Sequence, residues 1–100
     1  MENATEEQPQ LPAWVAPGGR AFELHCTERL GPRRPRRVIP APIRTVTKTW
    51  VVCANDSRYR VADLATDGSV THFYRDDPKA DGRWFLLVGP DDSRVNPEGA

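Results

Sequence analysis

Arginine supplies most of the chemistry this chain can offer. Between Arg29 and Arg37 the residues Arg29, Arg33, Arg34, Arg36 and Arg37 are interrupted by Pro32 and Pro35. A guanidinium presents a planar fork of donors that meets a phosphate or a carboxylate in bidentate fashion, which a lysine cannot do. The prolines disfavour helix and predict an extended, polyproline-like run with the guanidiniums splayed. Three uses fit such a strip: a phosphate backbone, an acidic protein surface, or a solvated linker pairing with acidic flanks of its own chain. Arg44, Arg58 and Arg60 continue the basic character. Residues 29–60 hold nine bases against Asp56 alone, net +8, while residues 1–28 and 61–100 are each −4 and the whole chain is neutral. A partner would feel that local field rather than the net charge.

Other chemistry is sparse. The only histidines are His25 and His72 and the only cysteines Cys26 and Cys53. A Cys–His dyad would need a nucleophile framed by a motif, and none frames either thiol; cysteines in alternating segments are expected as small core residues. The same four residues are zinc-ligand types, but adjacent His25 and Cys26 point to opposite sides of a strand and no Cys-x-x-Cys knuckle exists. Asp76-Asp77 and Asp91-Asp92 are paired carboxylates in turn-like, proline-containing stretches, where aspartate serves backbone bonding. No glycine-rich phosphate loop is present. The expectation is a non-enzymatic protein with no cofactor, no metal and no small-molecule substrate. Two cysteines are too few for a disulfide scaffold. The longest apolar run is Trp84 to Val88, far short of a membrane span, and the acidic start MENATEEQPQ lacks the features of a secretory signal, so a cytoplasmic chain with no membrane contact is expected.

The elements that must carry these residues read as strands. One hundred residues allow a single domain, and seven of the ten prolines precede residue 43, which assigns most of the core to the second half. Residues 1–19 are expected as an acidic, proline-rich tail in which Leu11, Trp14 and Val15 are the only large apolar side chains. Trp14 either packs back on its own domain or anchors a partner. Residues 20–42 are expected to hold a first strand and the basic arm, residues 43–95 a barrel core, and residues 96–100 a second tail. Arg20 to Thr27 alternates, with Phe22, Leu24 and Cys26 on one face and Glu23, His25 and Thr27 on a polar one. Pro40 and Pro42 keep the next stretch off a central strand. Thr49 to Ala54, Arg58 to Leu64 and Ser69 to Arg75 follow as strands, with turns at Asn55-Asp-Ser57 and at Asp67-Gly68, a type I′ signal. Trp84 to Val88 is apolar throughout and suits burial on both faces. Short strands between frequent turn signals predict an all-β domain, a small five-stranded SH3-like or OB-like barrel with an extended proline-rich N-terminal arm.

Thr45-Val-Thr-Lys-Thr-Trp-Val-Val-Cys53, Ser57-Arg-Tyr-Arg60, Trp84-Phe-Leu-Leu87 and Asp91-Asp-Ser-Arg-Val95 resemble the motifs of small SH3-like β-barrel proteins encoded by actinobacteria and their phages. The resemblance covers roughly residues 42–95 and departs from the pattern at Ser93, where proline is usual. It implies the barrel and transfers no activity and no functional residue. Trp50, Tyr59, Phe73, Tyr74 and Trp84 flank Arg58, Arg60, Arg75 and Arg83 at strand spacing, a mixture that stacks bases beside phosphate contacts, although so small a core needs the same aromatics. The function expected is binding of nucleic acid or a nucleoprotein complex through Arg29, Arg33, Arg34, Arg36, Arg37, Arg44, Arg58, Arg60 and Trp14. The alternative is a protein-interaction or assembly component, a phage structural protein or an inhibitor of a host enzyme, docking an acidic protein surface or other partner through the N-terminal arm.

Overall fold

Alternating and apolar runs become eight strands in the computed structural model, which describes residues 11–31, 33–67 and 70–95. They are β1 (Phe22–Thr27), β2 (Arg37–Pro40), β3 (Ile43–Val46), β4 (Trp50–Cys53), β5 (Arg58–Arg60), β6 (Leu64–Asp67), β7 (Val70–Asp76) and β8 (Arg83–Val88). A five-stranded sheet has the order β2-β1-β8-β7-β6 and a three-stranded sheet the order β3-β4-β5. Every pairing is antiparallel. Among the described residues no helix is long and apolar enough to cross a membrane, and the one helical element is a single 3₁₀ turn, Val61–Asp63.

The domain is all-β, as expected, but the five-stranded closed barrel is corrected to two sheets. The break falls at Pro40-Ala-Pro42. Two residues without a backbone N–H, flanking one that has it, cannot extend a ladder. Ala41 donates to the Ala21 carbonyl at 2.9 Å, Ile43 to Gly19 at 2.9 Å, and the chain then leaves β1 and starts the small sheet. β2 is thus an edge strand, as its prolines require.

β8 lies between β1 and β7, and its Leu86, Leu87 and Val88 are all buried. A central strand buried on both faces requires cover on both faces of its neighbours too, which overturns the polar outer face expected for β1. Glu23 pairs with Leu87, and Leu24 with Leu86, so Glu23 faces the cluster of Ile43, Val51, Cys53, Tyr59, Phe73 and Leu87 between the sheets. Leu24, Cys26, Leu86 and Val88 form a second cluster on the opposite face, with Phe22, Trp84 and Val95 packed against it.

Two further expectations change. Residues 11–21 lie against the core rather than extending from it: Val15 and Ala21 are buried and Leu11 and Trp14 pack on the inter-sheet cluster. Trp14 meets Phe73 edge-on at 6.0 Å, and Gly89 leaves it room, since a Cβ there would come within 2.5 Å of the indole. Strands β1 and β2, on the N-terminal side of the boundary expected at residue 42, belong to the same sheet as β7 and β8. The Asn55–Ser57 turn is present, with Asp56 at φ 71 and Ser57 donating its N–H to Asn55 Oδ1 at 3.0 Å. β6 and β7 form the expected hairpin with Asp67 opposite Val70, while residues 68–69 of its turn, and residues 1–10 and 96–100 of the expected tails, lie outside the described residues.

Candidate functional site

The arginine strip is the loop of the β1–β2 hairpin. Gly31, at φ 78, donates to the Thr27 carbonyl at 2.8 Å, and Arg36 donates to that of His25 at 2.7 Å. Glycine takes that left-handed backbone without the Cβ cost, so the chain leaves β1 in a turn and re-enters as β2. The strip is therefore returned on itself rather than extended; Pro32 lies outside the described residues. Arg29, Arg33, Arg34, Arg36 and Arg37 are all exposed. Arg29 and Arg36 line a cleft of about 880 Å3 with Arg83 and Asp81, and Arg33 and Arg34 line one of about 610 Å3 with Arg94 and Val95.

Sheet register carries this loop toward a second cationic cluster. Arg37 is opposite His25, His25 opposite Phe85, and Phe85 opposite Arg75. Residues directly opposite in an antiparallel ladder share a face, so Arg37, His25, Phe85 and Arg75 form one transverse row over four strands, about 14 Å at the usual strand spacing. The His25 and Phe85 rings meet at 4.7 Å and the Arg75 guanidinium lies 4.7 Å from the Phe85 centroid. Arg75 also lies 5.3 Å from the Tyr59 ring.

Beneath the row sits Glu23, 4% exposed. Tyr59 donates its hydroxyl to Glu23 Oε2 at 2.5 Å, His25 Nε2 is 3.3 Å from Oε1, and an Arg75 terminal nitrogen is 4.0 Å from Oε2. A carboxylate this enclosed is tolerated because three groups of suitable sign or polarity face it. Burial, reinforced by the Glu23 charge and hydrogen bond, pushes the Tyr59 hydroxyl well above the ordinary phenol range, so it remains a donor. Burial, with Glu23 adding to it, pushes the Cys53 thiol up to about 12. Cys26 is raised by burial as well. The two thiols are free and lie in different clusters, and among the described residues no three His, Cys, Asp or Glu side chains gather as a metal set.

Past Arg75 the row opens into a cleft of about 400 Å3. Its floor is Trp50, opposite Arg60 in the β4–β5 ladder, with Arg58 and Arg60 at 5.3 and 5.6 Å from its ring. Alternation along β5 explains the arrangement: Tyr59 enters the core while Arg58 and Arg60 stay outside. Asp63, Tyr74 and Asp76 complete the lining. The cleft runs between β5, an edge strand, and the part of β7 beyond its pairing with β6.

Arg37 thus joins Arg58 and Arg60 through the row, and Arg29, Arg33, Arg34 and Arg36 sit in the loop leading to it. Arg44 stands apart, ion-paired with Asp56 at 2.9 Å and lining none of these clefts. Trp14 is half-buried, with its ring against Phe73 and Gly89, so of its two expected uses the structure shows the packing on its own domain. Of the aromatics, Tyr59 and Phe73 are core, Trp50 and Trp84 half-buried and Tyr74 exposed. Sequence reasoning did not assign Glu23, His25, Phe85 or Asp63 to the site, and named Arg75 only among the arginines flanked by aromatics. The apolar run in β8 was the available signal, because covering both its faces forces the neighbouring Glu23 and His25 inside. Asp92, also buried, pairs with Arg94, whose side chain donates at 2.8 and 2.6 Å; burial would raise this carboxyl, but the Arg94 hydrogen bonds and charge outweigh it and hold it below the usual range.

Fold and site together define a two-sheet antiparallel β-protein with an arginine-rich hairpin loop joined by a cation–aromatic row to an aromatic cleft. Comparison of the chain with family models, curated proteins and solved structures found no match.

Proposed function

We propose that the chain is a non-enzymatic nucleic-acid-binding protein that takes a single strand along the row from the β1–β2 loop to the Trp50 cleft. The observation that carries this reading is the register Arg37–His25–Phe85–Arg75, which lines up cations and rings between two basic clusters. Guanidiniums meet the phosphates, and aromatic or guanidinium planes stack the bases. Kinship with SH3-like proteins of actinobacteria and their phages is part of the same proposal and rests on the sequence motifs.

Binding of labelled single-stranded DNA and RNA, followed by anisotropy against salt, tests it. Affinity should fall with a log–log slope of roughly −0.7 per phosphate contacted. No binding of either strand, or of duplex, at ~50 mM salt removes the proposal. The protein-docking alternative is weakened at Trp14, which packs on the core. Two exposed apolar side chains favour it, Val38 in β2 at 38% and Leu30 in the arginine loop at 42%, and nuclease-resistant capture of one protein partner is the result that would support it.

A further inference from the structure

The Trp50 cleft holds charges of both signs that do not satisfy one another. Arg58 and Arg60 make no ion pair among the described residues, and neither does Asp63, which has no hydrogen-bond partner there either, although all three line the same cleft. Arg75 Nε is buried with no hydrogen-bond partner among the described residues. Tyr74, exposed at 41%, is oriented by donating its hydroxyl to Asp76 Oδ1 at 2.5 Å. A concave site of about 400 Å3 is of ligand size. Asp76 is occupied by the Tyr74 hydroxyl, so the cleft's donors, its one carboxylate unpartnered among the described residues, Asp63, and its ring surface ask for three things in one ligand: an anion, an N–H-bearing edge and a flat π face.

An inorganic phosphate answers only the cations, and a peptide side chain offers no single ring that carries two adjacent N–H groups on its edge. A nucleotide carries all three. A carboxylate has two acceptor oxygens and no donor, so it fits a base edge with two neighbouring N–H groups. Guanine presents N1–H and the N2 amine side by side. Adenine and cytosine place an acceptor next to their donor, and uracil flanks one N–H with two carbonyls, so each sets a lone pair against the carboxylate.

We propose that this cleft receives one unpaired base of a bound strand, stacked on the Trp50–arginine layer with its phosphate toward Arg75, and that Asp63 selects guanine. The proposal rests on the single-strand-binding reading above. Asp63 stands at the end of the 3₁₀ turn that follows β5, so the element that presents Arg58 and Arg60 also sets the position of the carboxylate.

The test uses labelled hexauridylates in which one central residue is replaced by guanosine, adenosine or cytidine, titrated with the full chain at ~50 mM salt. The guanosine strand is expected to bind about 10-fold more tightly than the other two, as one bidentate edge contact allows. Asp63→Ala should bring the three strands within about twofold of one another, Asp63→Asn should keep part of the preference, and an unchanged melting midpoint shows that both variants fold. If the parent binds all three strands equally, or Asp63→Ala keeps the full preference, the assignment of the cleft is wrong while single-strand binding stands. Failure of every strand to bind removes both readings.

Discussion

Tyr59→Phe deletes a single oxygen from a fully enclosed side chain and leaves its ring in the cluster with Ile43, Val51 and Phe73. The atom lost is the donor to Glu23 Oε2. Glu23 keeps His25 Nε2 at 3.3 Å and Arg75 at 4.0 Å, both on the partly open side, and no solvent reaches the vacated position. A hydrogen bond to a charged group is worth ~1.5–3 kcal/mol, and an abandoned buried acceptor places the cost in the upper part of that range. A loss of ~2–3 kcal/mol is a large share of the ~5–15 kcal/mol that holds a domain together. It should lower the melting midpoint by ~10 °C or more and the urea midpoint by ~1 M or more with an unchanged slope. Glu23→Leu should cost a comparable amount, whereas the double variant should cost clearly less than the sum, because neither partner is then left stranded. A Tyr59→Phe protein within ~0.5 kcal/mol of the parent, or strict additivity in the cycle, refutes the view that this network is a stability element.

Gly89→Ala places a Cβ within 2.5 Å of the Trp14 indole and should displace that ring at a cost of ~1–3 kcal/mol; an unaltered near-ultraviolet spectrum and melting midpoint would contradict the close approach. Stability should fall on the alkaline side, because the unfolded chain releases the Cys53 proton near 9 and the folded chain near 12. The contribution is complete below pH 9 and is lost at up to ~1.4 kcal/mol per pH unit as pH rises toward 12, so Cys53→Ala should flatten the urea midpoint measured between pH 8 and 11. Asp92 acts in the opposite direction: its lowered carboxyl contributes above the ordinary value of 3.8, and the contribution is lost as pH falls through the folded value. Replacing Arg33, Arg34, Arg36 and Arg37 together by Ala should leave the melting midpoint within a few degrees of the parent, since all four are exposed, yet weaken single-strand binding and reduce its salt slope. A variant that unfolds would instead make the β1–β2 loop part of the folding unit.

Much of the strand content was legible because each signal was local. Period-2 alternation marked Phe22 to Thr27, continuous apolarity marked Trp84 to Val88, and proline marked the edge at residue 40. The arginine loop was legible as a cationic strip, since composition alone defines it. Arg58, Tyr59 and Arg60 were legible as well: two exposed cations on either side of a residue that had to enter the core.

Pairing was not local and could not be read from any one segment. Whether strands close into a barrel or separate into sheets depends on which ladder each strand end joins, and that was decided by Ala21 and Gly19 meeting the backbone around Pro42 from far along the chain. The row Arg37–His25–Phe85–Arg75 exists only through the register of three separate strand pairs; a shift of one residue in any of them would turn a member to the other face. Glu23 makes the same point in energetic form. Its sequence context, an acid alternating with apolar residues, reads as a solvent face, and only a second sheet bringing Tyr59 to it makes burial affordable. The amino-acid sequence by itself determined the strand-forming segments, the proline-marked edge and the placement of positive charge, because these follow from each residue and its nearest neighbours. Tertiary structure decided the sheet partition, the inward turn of Glu23 and the joining of two basic clusters, because these depend on contacts between residues distant in the chain.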